Sequence, residues 1–111
     1  MSAHVEGFAD PTIEIDALLK GGSPVVIDCY TPGCGPCAAL APVLDDVASE
    51  MAGRLAVLKV DVAAAPAVAR RFGVRSVPTL LFFENGKLKA TRTGAASRTQ
   101  LVTWLAVQGA A

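Results

Sequence analysis

In the stretch DCYTPGCGPC, residues 28–37, Cys34 and Cys37 stand three positions apart with only Gly35 and Pro36 between them. Sulfur pairs at this spacing serve as redox couples, as half of a metal clip or as inert staples. A metal site of four nitrogen and sulfur ligands would need Cys34, Cys37, Cys29 and a residue near the N-terminus to converge. The chain has no second CxxC or CxxH, and His4 is its only histidine, so no metal is expected. A structural bridge fits poorly with three cysteines and with an N-terminus, MSAHVEGFADP, that lacks a basic region followed by an apolar one. Such a chain reads as cytoplasmic, where thiols are kept reduced and a close cysteine pair is working chemistry.

The pair falls where a strand turns into a helix, with Cys34 at the helix N-terminus. Unpaired amides and the helix dipole there favour negative charge, which makes Cys34 the attacking thiolate. Cys37 lies on the same side of the first turn and can resolve a mixed disulfide on Cys34. Gly35 and Pro36 suit a tight turn into a helix, where proline loses no needed donor. Neither adds charge that would stabilise the thiolate further, so the couple is expected to be reducing. Asp28 interrupts an apolar strand just before the motif. A buried carboxylate there should have a raised pKa and could relay protons to or from Cys37, with Lys59 in the neighbouring strand as its charge partner. Away from a CxxC the same carboxylate would read as a structural ion pair or an edge position.

The elements that must hold these groups can be read from periodicity. Asp10-Pro11 caps and starts a first helix bearing Ile15, Leu18 and Leu19, which Gly21-Gly22 stops. Residues 24–30 form a buried strand. Leu40, Val43, Leu44, Val47 and Met51 recur at helical spacing up to Gly53, with Pro42 inside as an expected kink. Residues 55–62 make a second buried strand, and 63–72 a short helix with Pro66 near its start and Gly73 after its end. Residues 79–84 and 87–93 flank Asn85-Gly86, the strongest two-residue hairpin signal, and Lys87 and Lys89 suit an exposed edge. Ser97 and Gln100 form a capping box ahead of Leu101, Trp104 and Leu105. The order is helix, strand, helix, strand, helix, hairpin, helix. Strands joined through a helix are parallel and the hairpin is antiparallel, so the fold class is α/β with a mixed four- or five-stranded sheet and helices on both faces. Residues 1–9 are weakly patterned and would be poorly ordered or a short edge strand.

With 111 residues, 52% of them hydrophobic, the chain is one domain, 1–111, with enough apolar surface for a core. Ten basic and ten acidic residues cancel, which gives no electrostatic reason to bind nucleic acid or an anionic membrane. Cys29 follows Asp28 in the strand and should point to the opposite face as a small core residue. Trp104 reads as core packing, and Asp45-Asp46 and Arg70-Arg71 as solvated helix faces.

The run VIDCYTPGCGPCAALAPVLDDVA, then LAVLKVDV, FGVRSVPTLLFFENGK and the glycine of RTGA, resembles the thioredoxin family over residues 24–108. The resemblance implies a thioredoxin fold and a protein-disulfide reductase that needs no cofactor beyond its Cys34-Cys37 redox couple. It implies disulfide-containing protein substrates, re-reduction by an NADPH-dependent flavoenzyme reductase, and a monomer. It assigns Cys34 as nucleophile, Cys37 as resolving thiol, and Asp28 and Lys59 as the buried carboxylate and its neighbour. Pro78 matches the family's cis-proline, Val77 offers backbone hydrogen bonds to substrate, and Gly94 lets substrate approach. Three positions depart from the pattern: Gly33 replaces the tryptophan before the first cysteine, Tyr30 is the aromatic at the strand end, and Cys29 takes a core aromatic position. Gly33 removes an apolar plate from the substrate rim and bears on which disulfides are preferred. A donor devoted to a restricted partner set, or a redox-idle interaction module, are the competing readings.

Overall fold

Asp10 accepts a hydrogen bond from the Thr12 amide on its side chain and thereby starts the first element, α1 (Pro11–Lys20). The structure, a computed structural model, describes residues 10–110. The expectation for residues 1–9 and the position of His4 lie outside the described residues. After α1 come β1 (Val25–Tyr30), α2 (Gly35–Glu50), β2 (Ala56–Asp61), α3 (Pro66–Phe72), β3 (Thr79–Glu84), β4 (Lys87–Thr93) and α4 (Arg98–Val107).

Among the described residues the sheet has four strands in the order β2-β1-β3-β4. β1 runs parallel to β2 and antiparallel to β3, and β3 to β4 is antiparallel. β1 is thus paired on both sides, which is why Val25–Cys29 can be buried on both faces. One core holds Val26 and Leu80 with Leu40, Leu44 and Val47 of α2 and Leu101 and Leu105 of α4. The other holds Val25, Ile27 and Cys29 with Ile15 of α1 and Val68 of α3. The alternation of β1 therefore sends Cys29 to the α1/α3 side, as its parity requires. Trp104 is partly buried against the first core, edge-on to Phe82 with ring centroids 6.2 Å apart.

Local chemistry accounts for most boundaries. Asn85 and Gly86 both take positive φ, 53° and 75°, the conformation that a two-residue hairpin loop demands. Ser97 and Gln100 close both bonds of the capping box. β4 is an edge strand with Lys87 and Lys89 exposed, and its register shifts by one residue opposite Phe82/Phe83, a bulge of the kind that discourages edge pairing. α3 begins at Pro66 rather than at residue 63. The Asp61 side chain accepts from the amides of Ala63 and Ala64, and this turn occupies the residues that would have formed the first helical turn. α2 continues unbroken past Pro42, which can offer Ala38 no intrahelical donor.

Candidate active site

Cys34 is the N-cap of α2. Its Sγ lies 3.2 Å from the Cys37 nitrogen, and its carbonyl accepts from Ala38 at 3.1 Å. Gly35 and Pro36 fill the first two helical positions, where amides need no intrahelical partner, so proline fits. Cys34 and Cys37 are joined as a disulfide with Cα atoms 5.2 Å apart. The two sulfurs differ in access. Cys34 is half-buried, whereas Cys37 is buried at 7% exposure. Once the bond is reduced, the amide aimed at Cys34 Sγ and the dipole of a sixteen-residue helix both favour the thiolate form.

The loop that delivers Cys34 is a Pro32-Gly33 turn with Gly33 at φ +77°. Proline second and a positive-φ glycine third is the composition of a type II turn. A Cβ built on Gly33 would meet nothing within 4 Å, so it is the backbone conformation rather than lack of space that favours glycine here. Beside the loop opens a cleft of about 270 Å³ lined by Asp28, Tyr30, Gly33, both cysteines and Lys59, among others.

Asp28 forms the floor of this cleft, 3% exposed, and its Oδ1 is buried with no hydrogen-bond partner. Burial pushes its carboxyl up to about 6; the charge of Lys59 opposes that rise and the charge of Asp45 adds to it. Lys59 is the cross-strand neighbour of Asp28 on β2. Its ammonium, however, forms its ion pair with Asp45 on α2, Nζ to Oδ1 2.8 Å. Asp45 and Asp46 are therefore not simply solvated, since Asp46 in turn takes the Arg98 guanidinium at 2.9 Å. Arg71 likewise pairs with Asp16 of α1 at 2.8 Å and lies over the Phe72 ring. Sequence reading missed Asp45 at the site because the signal is a cross-element contact with no local pattern.

Val77, Pro78 and Gly94 do not line the cleft. The Val77-Pro78 peptide bond is cis, and the Val77 carbonyl oxygen lies 4.0 Å from Cys34 Sγ. Gly94, at φ +85°, donates its amide to the Pro78 carbonyl at 2.9 Å, which ties the end of β4 to this loop. A Cβ on Gly94 would also meet nothing within 4 Å, so the glycine leaves open space beside the loop. Cys29 stands apart from the site. Burial and the neighbouring Asp28 charge push its thiol up to about 12, which makes it a poor nucleophile. Among the described residues no group of three or more His, Cys, Asp or Glu is placed to hold a metal ion, and no helix is long and apolar enough to cross a membrane.

The family model for thioredoxin matches residues 14–107. A thioredoxin of Pseudomonas aeruginosa is 40% identical over 105 residues, covering 95% of this chain and 96% of that protein. One of Haemophilus influenzae is 45% identical over 88 residues, 79% of this chain and 82% of its own length. A chloroplastic M-type thioredoxin of Spinacia oleracea is 42% identical over 84 residues, 76% of this chain and 46% of that protein.

Proposed function

The chain belongs to the thioredoxin family, and on that premise we propose how its residues divide the work of thiol-disulfide exchange. Its activity is that of a protein-disulfide oxidoreductase. The Cys34 thiolate attacks one sulfur of a substrate disulfide; that S–S bond breaks, a Cys34–substrate disulfide forms, and the first substrate thiolate leaves. Cys37 then passes its proton to the Asp28 carboxylate, attacks Cys34 Sγ and expels the second substrate thiolate. The substrate disulfide gains two electrons, and the Cys34-Cys37 dithiol becomes the disulfide. The observation that carries this reading is the pairing of an amide-capped, half-buried Cys34 with a buried Cys37 in a cleft that Asp28 also lines.

Asp28 suits a relay because a carboxyl held near 6 can both accept and return a proton at neutral pH. Lys59 keeps that carboxyl from rising further. Val77 and Pro78 support the substrate chain opposite Cys34, with Gly94 leaving room beside them, and Gly33 forms the substrate rim on the other side of the sulfur. We place the whole chain, 1–111, in one domain that works as a monomer. Its partners are disulfide-bearing proteins and a thioredoxin reductase, the latter an NADPH-dependent flavoenzyme. The cytoplasm suits it, since a reducing dithiol persists only where thiols are kept reduced.

The test is insulin reduction coupled to a thioredoxin reductase and NADPH. Cys34→Ser should abolish turnover, and Cys37→Ser should accumulate a mixed disulfide on Cys34 visible by intact mass. A parent protein that does not turn over in this assay, with Cys34→Ser indistinguishable from it, would instead support a redox-idle interaction module.

A further inference from the structure

Two carboxylates compete for one ammonium in this fold. Lys59 is the cross-strand neighbour of Asp28, and both line the same cleft. Yet the Lys59 Nζ lies 2.8 Å from Asp45 Oδ1, while Asp28 Oδ1 is buried without a hydrogen-bond partner. Exposure explains the choice. The Asp45 side chain is 53% exposed, so its charge is already solvated and costs little to keep, whereas ionising Asp28 requires charging a group 3% exposed. An ammonium held 2.8 Å from Asp45 on the helix side is less available to a carboxylate on the strand side.

We propose that Asp45 is a positioning residue for disulfide exchange: by anchoring Lys59 to α2 it withholds the ammonium from Asp28 and keeps that carboxyl able to bind a proton. Two effects act in the same direction. Asp45 holds the cation away, and its own negative charge opposes a second one nearby. The other groups that face Asp28 are few. Tyr30 of β1 and the two cysteines of α2 and its cap line its cleft, and the β3 residue opposite it, Leu80, is apolar. Arg92 of β4 lies across from Leu80 but lines a different hollow, with Thr99 and Trp104 of α4. Asp45 is thus the acidic group on α2 whose charge reaches Asp28, and Lys59, paired with Asp45, is the cation whose charge acts on the same carboxyl.

The kinetic side of this inference rests on the relay role of Asp28, so the experiment reads proton binding and catalysis separately. Carboxyl-carbon NMR titration of the oxidised protein follows Asp28 directly, and the pH profile of mixed-disulfide resolution follows its use. In Asp45→Asn the Asp28 midpoint should fall by about one pH unit, and the resolution profile should move with it. Asp45→Glu, which can re-form the pair, should return both towards the parent values. Asp46→Asn, which loses only a contact to Arg98, should leave both in place. An Asp28 midpoint unmoved in Asp45→Asn overturns the proposal. A midpoint that falls while the resolution profile stays put upholds the hold of Asp45 on Asp28 and overturns the relay instead.

Discussion

Cys34 Sγ stands 3.2 Å from the backbone nitrogen of Cys37, so one sulfur of the pair also caps the helix that carries the other. α2 has no acidic residue in its first turn to share that duty. In the reduced protein, Cys34→Ala should therefore cost about 1 kcal/mol more than Cys34→Ser, whose hydroxyl can take over the cap. Urea denaturation of the two variants under reducing conditions measures the difference. Coincident midpoints would show that an acceptor side chain at position 34 contributes nothing to the cap.

Asp28 ties stability to pH. Its carboxyl titrates at 3.8 when unperturbed and at about 6 in the fold, so the fold favours the protonated acid. The associated stability is complete below pH 3.8, declines as pH rises and is lost above about 6. A shift of this size corresponds to about 3 kcal/mol. Asp28→Asn should accordingly be more stable than the parent at pH 7, by up to that amount, and should show a flatter stability profile between pH 4 and 6. It should also slow resolution of mixed disulfides. A variant no more stable than the parent at pH 7 would contradict the desolvation argument.

Cys29 should be silent in the native protein. With its thiol pushed up to about 12 and its side chain fully buried, Cys29 should stay unmodified when an alkylating reagent is added to reduced protein, and labelling should begin at the half-buried Cys34. Denaturant should expose the third site. Rapid native labelling at Cys29, read by peptide mass mapping, is the outcome that would not fit.

Gly33 combines a conformational demand with a chemical choice. At φ +77° any L side chain is strained, so Gly33→Ala should cost about 1 kcal/mol although the space around it is empty. Gly33→Asn should be milder, because asparagine tolerates this region. Gly33→Trp carries the same strain and adds an apolar plate beside Cys34, so it should change insulin-reduction rate or reductase turnover. Unchanged values for both would remove Gly33 from the determinants of specificity.

Local patterns carried most of the fold. Asp10-Pro11, Asn85-Gly86 and the Ser97/Gln100 box each satisfy backbone groups within a few residues, so their geometry follows from residue type. The burial of Asp28 and the parity of Cys29 were equally legible, because strand alternation fixes both. Contacts that close over long sequence distances were not. Lys59 could have turned to Asp28 or to Asp45, and only the approach of α2 to β2 selects between them. The pairs Arg71 with Asp16 and Arg98 with Asp46 escaped for the same reason. The delayed start of α3 escaped because the Asp61 side chain competes for amides that a helix would otherwise use.

β1 places Asp28 over one core and Cys29 over the other, and it is hydrogen-bonded to a neighbour on each side. A strand built this way is far more forgiving of a changed side chain than of a changed length. Adding or deleting one residue within Val25–Tyr30 would exchange the two faces, putting the carboxylate among Ile15, Leu58 and Val68 and the thiol beneath the disulfide. Length variation in relatives that keep this chemistry should thus collect in the loops and stay out of this strand.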